Sequence, residues 1–366
     1  MDFRFSEEQE ALQGLAREIF ENEVTPERLK AIEAAGDGID EELWTRLAEA
    51  NLLGLAIAEN QGGMGMGFFE LCVLLHEMGR AVAPVPLLSS LVGAACPLAE
   101  FGTEDQRDRW LAPLAKGELV LAAGALDASP IDATPGGAGW VLSGSCNHVA
   151  AVHRAKRVVL RVRDAEGDFL ALVDPLADGV SLRRGLTSRR EPVFAIHLDG
   201  VDLDATEALR APGIVRWTHQ RMQVALAVTH VGVCERALEI TTSYLAEREQ
   251  FGAPLASLTA VQHRCADAYI GLDAMRWMAW MAASRLDEGV DAAREAWGAK
   301  FWAADAGSKI ASAVQHLHGG MGVDMDYAIH RYFFWSKALE LELGSATKQL
   351  LELGEDMART GPEEFE

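Results

Sequence analysis

The residues best suited to chemistry stand in Tyr244-Leu-Ala-Glu-Arg-Glu-Gln-Phe-Gly-Ala-Pro-Leu255. Arg248, Gln250 and Phe251 close a long apolar-periodic run that begins near Ile214. A guanidinium fork, an amide and an aromatic ring are what a buried diphosphate and a planar heterocycle need. Gly252 tolerates a left-handed turn and Pro254 cannot continue a helical ladder, so a helix is expected to end here and present the three groups together. Taken alone, the same residues also read as plain surface. Two further stretches, Gln61-Gly-Gly-Met-Gly-Met-Gly67 and His318-Gly-Gly-Met-Gly322, allow positive φ and close backbone approach. The first serves equally well as a tight connection between helices.

The elements that must position these groups fall into three parts. Residues 1 to about 116 read as helical. Ser6 and Gln9 make a capping box, with Glu7 and Glu8 in the first turn, and Leu12, Leu15, Ile19 and Phe20 recur at helical spacing. Phe68 to Val82 and Glu104 to Leu114 are further helices. Residues 117–204 carry short β-branched runs at Leu119, Trp140, Arg157–Val162, Phe169–Val173, Val180 and Phe194–Leu198, which predict a small antiparallel barrel or sandwich. Gly136-Gly-Ala-Gly139 is a turn, since no helical pattern follows it. Residues 205–366 return to helical spacing in four runs, Ile214–Arg248, Thr259–Asp287, Asp291–His316 and Asp326–Met357, long enough for a bundle. Faces rich in Met and aromatics, such as Met275, Met278, Met281 and Trp297, Phe301, Trp302, read as core or subunit contact. The tail Arg359–Glu366 reads as disordered.

Composition narrows the partners. The chain has 366 residues, 49% hydrophobic and 24% charged, as in a soluble globular protein of two or three cores. A net charge of −22 argues against nucleic acid or an anionic membrane. No apolar run is long enough to span a bilayer, and the N-terminus lacks the basic start of a signal peptide. The 5 cysteines are scattered without CxxC spacing, which suggests reduced thiols in a cytoplasm and no metal site.

Arg248-Glu-Gln-Phe-Gly-Ala-Pro-Leu255, His318-Gly-Gly-Met-Gly322 and Gln61–Gly67 together resemble the acyl-CoA dehydrogenase family in order and spacing, over nearly the whole chain. The resemblance implies an α+β, mostly helical fold: helical domain, β-domain, four-helix bundle. It also implies FAD, lying between two subunits. The β-domain of one would cup the ring, and the bundle of its neighbour would hold the adenosine diphosphate end. For that second task Arg248 matches the pyrophosphate arginine. Gln250 and Phe251 match its polar and aromatic neighbours, and Gly319 and Gly320 the small residues beside the nucleotide. The family's glutamine is His316 here, with Gln315 adjacent.

The ring-side and proton-abstracting positions depart from the family. Thr-Glu-Pro is replaced by Leu126-Asp127-Ala128, and aromatic-Ile-Thr by His148-Val149-Ala150. Leu126 and Ala150 cannot donate a side-chain hydrogen bond; His148 could stack or donate, or be an ordinary loop residue. The family's base is a glutamate that removes an α proton from the acyl thioester while the β hydrogen leaves for the flavin. Its two known positions fall on Leu343 and Met222. Glu342 is adjacent to Leu343, and on a continuous helix would point ~100° away.

The resemblance therefore implies the companion subunit of an α2β2 dehydrogenase, of the kind that actinobacteria use on CoA thioesters of steroid side chains. Asp324–Trp335 after His316-Leu-His-Gly-Gly resembles that group. The implied partners are a steroid-type acyl-CoA, a second acyl-CoA dehydrogenase-like subunit carrying the glutamate, and an electron-transfer flavoprotein as acceptor. The alternatives are a self-sufficient homotetramer with Glu342 as base, and a flavin-free scaffold.

Overall fold

The computed structural model describes residues 4–360. It contains two compact units: Met1–Leu74 with Pro84–Met222, and Leu75–Ala83 with Gln223–Glu366. Two helices, α4 (Phe68–Ala81) and α7 (Ile214–Glu247), contribute residues to both.

The first unit begins with α1 (Glu7–Glu23), α2 (Pro26–Ala35) and α3 (Glu41–Glu49). The capping box on α1 forms as expected: Gln9 N donates to Ser6 Oγ and Ser6 N to Gln9 Oε1. Asp40 caps α3 by accepting from Leu43 N at 2.9 Å, and Arg28 holds the same carboxylate with two bonds of 2.5 and 2.6 Å. After Pro84 and Pro86 the chain makes a π-helix, Leu88–Ala95, then α5 (Cys96–Phe101) and α6 (Glu104–Ala115). The π-helix and α2 are additions to the sequence reading. Ser89 and Ser90 tie the π-helix to the sheet, their hydroxyls accepting from Ala123 N and Leu121 N.

Eight strands follow: β1 (Val120–Ala123), β2 (Ile131–Gly136), β3 (Gly139–Ala150), β4 (Ala155–Asp164), β5 (Gly167–Val173), β6 (Val180–Leu186), β7 (Pro192–Asp204) and β8 (Ala208–Leu209). Their order is β6-β7-β3-β2-β4-β5-β8, with β1 also on β4. The expected sheet is wholly antiparallel, but β1 and β2 both run parallel to β4. The reason is connectivity: no hairpin links either of them to β4. Gly136 and Gly139 pair across a two-residue turn, as expected of that glycine cluster. Side chains along β7 alternate, so Phe194, Ile196 and Leu198 face a core shared with Val158, Leu160 and Phe169. The alternation slips by one at Gly200, where the register with β3 shifts.

The second unit is helical: the end of α4, most of α7, then α8 (Thr259–Asp287), α9 (Ala293–Leu317), α10 (Ile329–Leu341) and α11 (Ala346–Thr360). Two glycines bring α4 and α7 into backbone contact. A Cβ on Gly79 would sit 2.1 Å from Thr229 O, and one on Gly232 2.1 Å from His76 O. Gly307 of α9 is packed against the His230 ring, 2.4 Å from where its Cβ would be. The fourth predicted run is not one helix. It breaks over Glu342–Ser345, where Leu343 and Gly344 take φ of 55° and 96°. Arg359 and Thr360 are helical, closing α11, and not disordered as expected; the rest of that tail lies outside the described residues.

Candidate functional site

The Arg248 corner departs from a simple helix end. Helix α7 stops at Glu247, and a two-residue strand pair follows, β9 (Glu249–Gln250) and β10 (Ala253–Pro254). Phe251 and Gly252 make the turn with φ of 57° and 81°. Gly252 takes the left-handed conformation expected of it, Phe251 takes it as well, and Phe251 is 91% exposed. Arg248 and Gln250 are exposed as well. Arg248 makes no ion pair among the described residues, so its guanidinium is open to an incoming anion. Gln250 Nε2 donates only to the neighbouring Glu249 O, at 2.8 Å.

An aromatic stack brings the second motif to this corner. Tyr244 lies one turn before Arg248, whose N donates to Tyr244 O at 2.8 Å. The Tyr244 ring stacks on His318 with centroids 4.6 Å apart, and Tyr327 leans on both. His318 is buried and donates Nδ1–H to Val314 O at 2.8 Å. Burial holds its imidazole below the ordinary range, although the bond to Val314 acts the other way. Gly319 and Gly320 follow directly, both exposed, and a Cβ on either would meet nothing within 4 Å. Gln315 Nε2 donates to Gly322 O at 3.2 Å, bracing the turn, while His316 is exposed. All seven residues expected at the nucleotide therefore lie in the second unit, and the tyrosine–histidine stack joins their two motifs. A lone guanidinium, an exposed ring and open space at paired glycines fit an adenosine diphosphate group.

The ring-side positions lie in the first unit and offer a different set of groups. Leu126 is buried, and Arg161 Nη1 donates to Leu126 O at 3.1 Å and Ala128 O at 3.3 Å. The turn is therefore held by its own chain. His148 and Ala151 have φ of 62° and 58°, and Val149 is buried in the sheet core. His148 is exposed, and its ring makes no hydrogen bond among the described residues. Just beyond, His153 Nε2 bonds Asp37 at 2.7 Å, and Arg154 Nε donates to the same carboxylate at 3.1 Å. No side chain at 126 or 150 can donate to a flavin ring edge, so His148 is the polar side chain these positions offer it.

The positions of the base hold apolar side chains. Met222, on α7, is 9% exposed, and a methyl added at Gly93 of the π-helix would lie 3.5 Å from its Sδ. Leu343 is 8% exposed on the break between α10 and α11. Glu342 is only half-buried, with extended backbone at φ −65° and ψ 131°. The ~100° helical offset between the two residues therefore does not apply. Polar groups that were not singled out in the sequence hold the break. Gln349 Nε2 donates to Leu343 O at 2.8 Å, and Gln223 Nε2 to Gln349 Oε1 at 2.7 Å. Buried Lys300 donates to Leu339 O, Glu340 O and Gly344 O at 3.0, 3.1 and 3.2 Å. A signal for Lys300 exists: it falls on the alanine stripe of α9 that runs through Ala296, Ala303 and Gly307.

A bundle with a nucleotide-ready corner, in one chain with a β-sheet unit, is the build of a flavoprotein dehydrogenase. The family model described as acyl-CoA dehydrogenase, N-terminal domain, matches residues 6–118, and that of the C-terminal domain matches residues 213–358. The chain belongs to the acyl-CoA dehydrogenase family, whose cofactor is FAD. It is 33% identical to acyl-CoA dehydrogenase FadE27 of Mycobacterium tuberculosis, over 98% of this chain and 100% of that one. It is 31% identical to FadE28 of the same organism, over 97% and 98%. Among solved structures it superimposes on one chain of the ChsE4-ChsE5 complex from Mycobacterium tuberculosis with a TM-score of 0.95, 33% identity and coverage of 99% and 100%. A variant of the Tcur3481-Tcur3483 steroid ACAD gives a TM-score of 0.92 with 43% identity, over 96% and 98%. Among the described residues no helix is long and apolar enough to cross a membrane, and no acidic, His or Cys cluster could hold a metal.

Proposed function

We propose that this chain is the companion subunit of an α2β2 acyl-CoA dehydrogenase that introduces an α,β double bond into a steroid-type acyl-CoA in the cytoplasm. In this reading residues 205–366 lend the adenosine diphosphate half of an FAD site to a partner subunit that bears the catalytic glutamate. Arg248 would pair with the diphosphate, Phe251 and Gln250 would flank it, and Gly319 and Gly320, with Gln315 and His316 beside them, would let the backbone approach. FAD, when bound, supplies the acceptor for the β hydrogen. Residues 117–204 carry the weakened ring-side half and follow helical residues 1–116 in the chain. The observation that carries the reading is the apolar pair Met222 and Leu343 at both base positions. The ChsE4-ChsE5 complex and the Tcur3481-Tcur3483 steroid ACAD each pair two components, which favours the heteromeric assembly, and the second being a steroid ACAD favours the substrate class.

Expressing the chain alone and with a glutamate-bearing homologue tests this, with flavin absorbance, native mass and dehydrogenation of a steroid acyl-CoA as readouts. The expected result is flavin and turnover only in the co-expressed complex, with an electron-transfer flavoprotein accepting the electrons. A yellow, active homotetramer of this chain would instead favour Glu342 as base. Absence of flavin from the complex as well would favour a scaffold.

A further inference from the structure

A second cluster of ionisable groups lies in the helical unit, apart from the nucleotide corner. His76 of α4 is 4% exposed. Its Nδ1 stands 3.1 Å from Glu77 Oε1 and its Nε2 2.9 Å from Glu235 Oε2. A carboxylate only accepts, so each ring nitrogen must carry a hydrogen to bond it. Arg80 pairs with Glu235 at 3.1 Å and with both oxygens of Glu239 at 2.9 Å. Arg276 of α8 reaches Glu235 through Nε at 3.0 Å.

The groups around His76 balance only if it is charged. Helix α4 contributes Glu77 and Arg80. Helix α7 contributes Cys234, Glu235, Arg236 and Glu239, and α8 contributes Asp273, Arg276 and the ring of Trp280, 5.8 Å from the imidazole. Tyr332 of α10 donates to Arg80 O at 3.0 Å. His76, Arg80, Arg236 and Arg276 then face Glu77, Glu235, Glu239 and Asp273, cation for anion. The thiol of Cys234 stays neutral because burial pushes it up. The glycine contacts of Gly79 and Gly232 flank this cluster on the same two helices.

We propose that His76 is a doubly protonated imidazolium, and that its titration sets how firmly the Leu75–Ala83 segment is seated against α7 and α8. Burial opposes the charged ring, but the bonds to Glu235 and Glu77 outweigh it and raise its affinity for the proton. The stabilisation is therefore complete below the ordinary imidazole range and is lost as pH rises through the folded value. Each pH unit between the two is worth about tenfold in the local opening constant.

Histidine-selective NMR of the full chain reads the proton directly, with His76→Gln assigning the resonance. The expected result is an imidazolium signature for His76 at a pH just above the ordinary imidazole range. Hydrogen exchange of amides 75–83, corrected for intrinsic base catalysis, should also accelerate with pH in the wild type and stay flat in His76→Gln. If that variant fails to fold, Glu77→Gln serves: the His76 titration should move to lower pH. A neutral ring at that pH, an equal pH response in wild type and variant, or an unmoved titration in Glu77→Gln would overturn the proposal.

Discussion

The side-chain amides of Gln223 and Gln349 meet end to end, Nε2 of the first donating to Oε1 of the second at 2.7 Å. Both residues are almost fully buried, at 2% and 1% exposure. Gln223 follows Met222 in the chain, and Gln349 bonds the carbonyl of Leu343. One hydrogen-bonded path thus links the flank of one base position to the backbone of the other.

Replacing Gln349 by Leu should therefore be costly. It strands the Gln223 amide and the Leu343 carbonyl in the interior, at about 1–3 kcal/mol for each unmet group. Urea unfolding of the full chain should show a lower midpoint with an unchanged slope. A midpoint equal to wild type would mean that the path carries no stability.

Glu342→Gln should leave turnover of the co-expressed complex within about twofold of wild type, because a residue outside general acid–base chemistry costs none of its ~10²–10⁴. A loss of about a hundredfold or more with flavin retained would make Glu342 the base.

Arg248→Gln should weaken flavin retention roughly tenfold or more, since one charge-assisted phosphate contact of about 1.5–3 kcal/mol is removed. Dialysis of the complex against rising salt, followed by flavin absorbance, measures this. The unfolding midpoint of the chain alone should not move, because Arg248 is exposed and makes no ion pair among the described residues.

Gly307→Ala should cost about 1–3 kcal/mol, as its methyl would overlap the buried His230 ring. Differential scanning calorimetry of the full chain gives the shift in Tm. A neutral result would require the His230–Ser336 bond of 2.7 Å to reorganise freely.

His230 should also contribute an acid limb to stability. Burial, then the nearby charges of Lys300 and Lys337, push its imidazole down to about 3. Between that value and the ordinary imidazole range the unfolded chain binds a proton that the folded chain refuses. Stability therefore rises with pH through this window and is complete above it. The double variant His230→Leu, Ser336→Ala should flatten that part of the pH–stability curve, with unfolding midpoints from about pH 4 to 7 as the readout.

The sequence shows the elements of this fold more readily than their joints. Ser6, Gln9 and the apolar spacing of α1 specify that helix locally, and the alternation of β7 reports a half-buried strand. The family's glycines and Arg248 are equally plain, because a motif is a local object. The break at Glu342–Ser345 is not legible. The residues that hold it, Lys300 and Gln349, are distant in sequence from Leu343 or hidden on a helix face, and a leucine at φ 55° has no local signature. The parallel pairing of β1 and β2 with β4 escapes for the same reason: ladder direction depends on connectivity, and runs of β-branched residues do not record it. At the Arg248 corner Gly252 turns as its type allows, while nothing in the sequence records that Phe251 turns with it.

Residues Leu75–Ala83 belong to the helical unit although the chain before and after them belongs to the other. No single cut in the polypeptide releases a finished helical unit. On the ribosome this short piece emerges long before α8 and α9. The unit must wait for its last helices while its first component is already made, and a gene truncated to begin at Gln223 would encode a bundle with an unfilled slot.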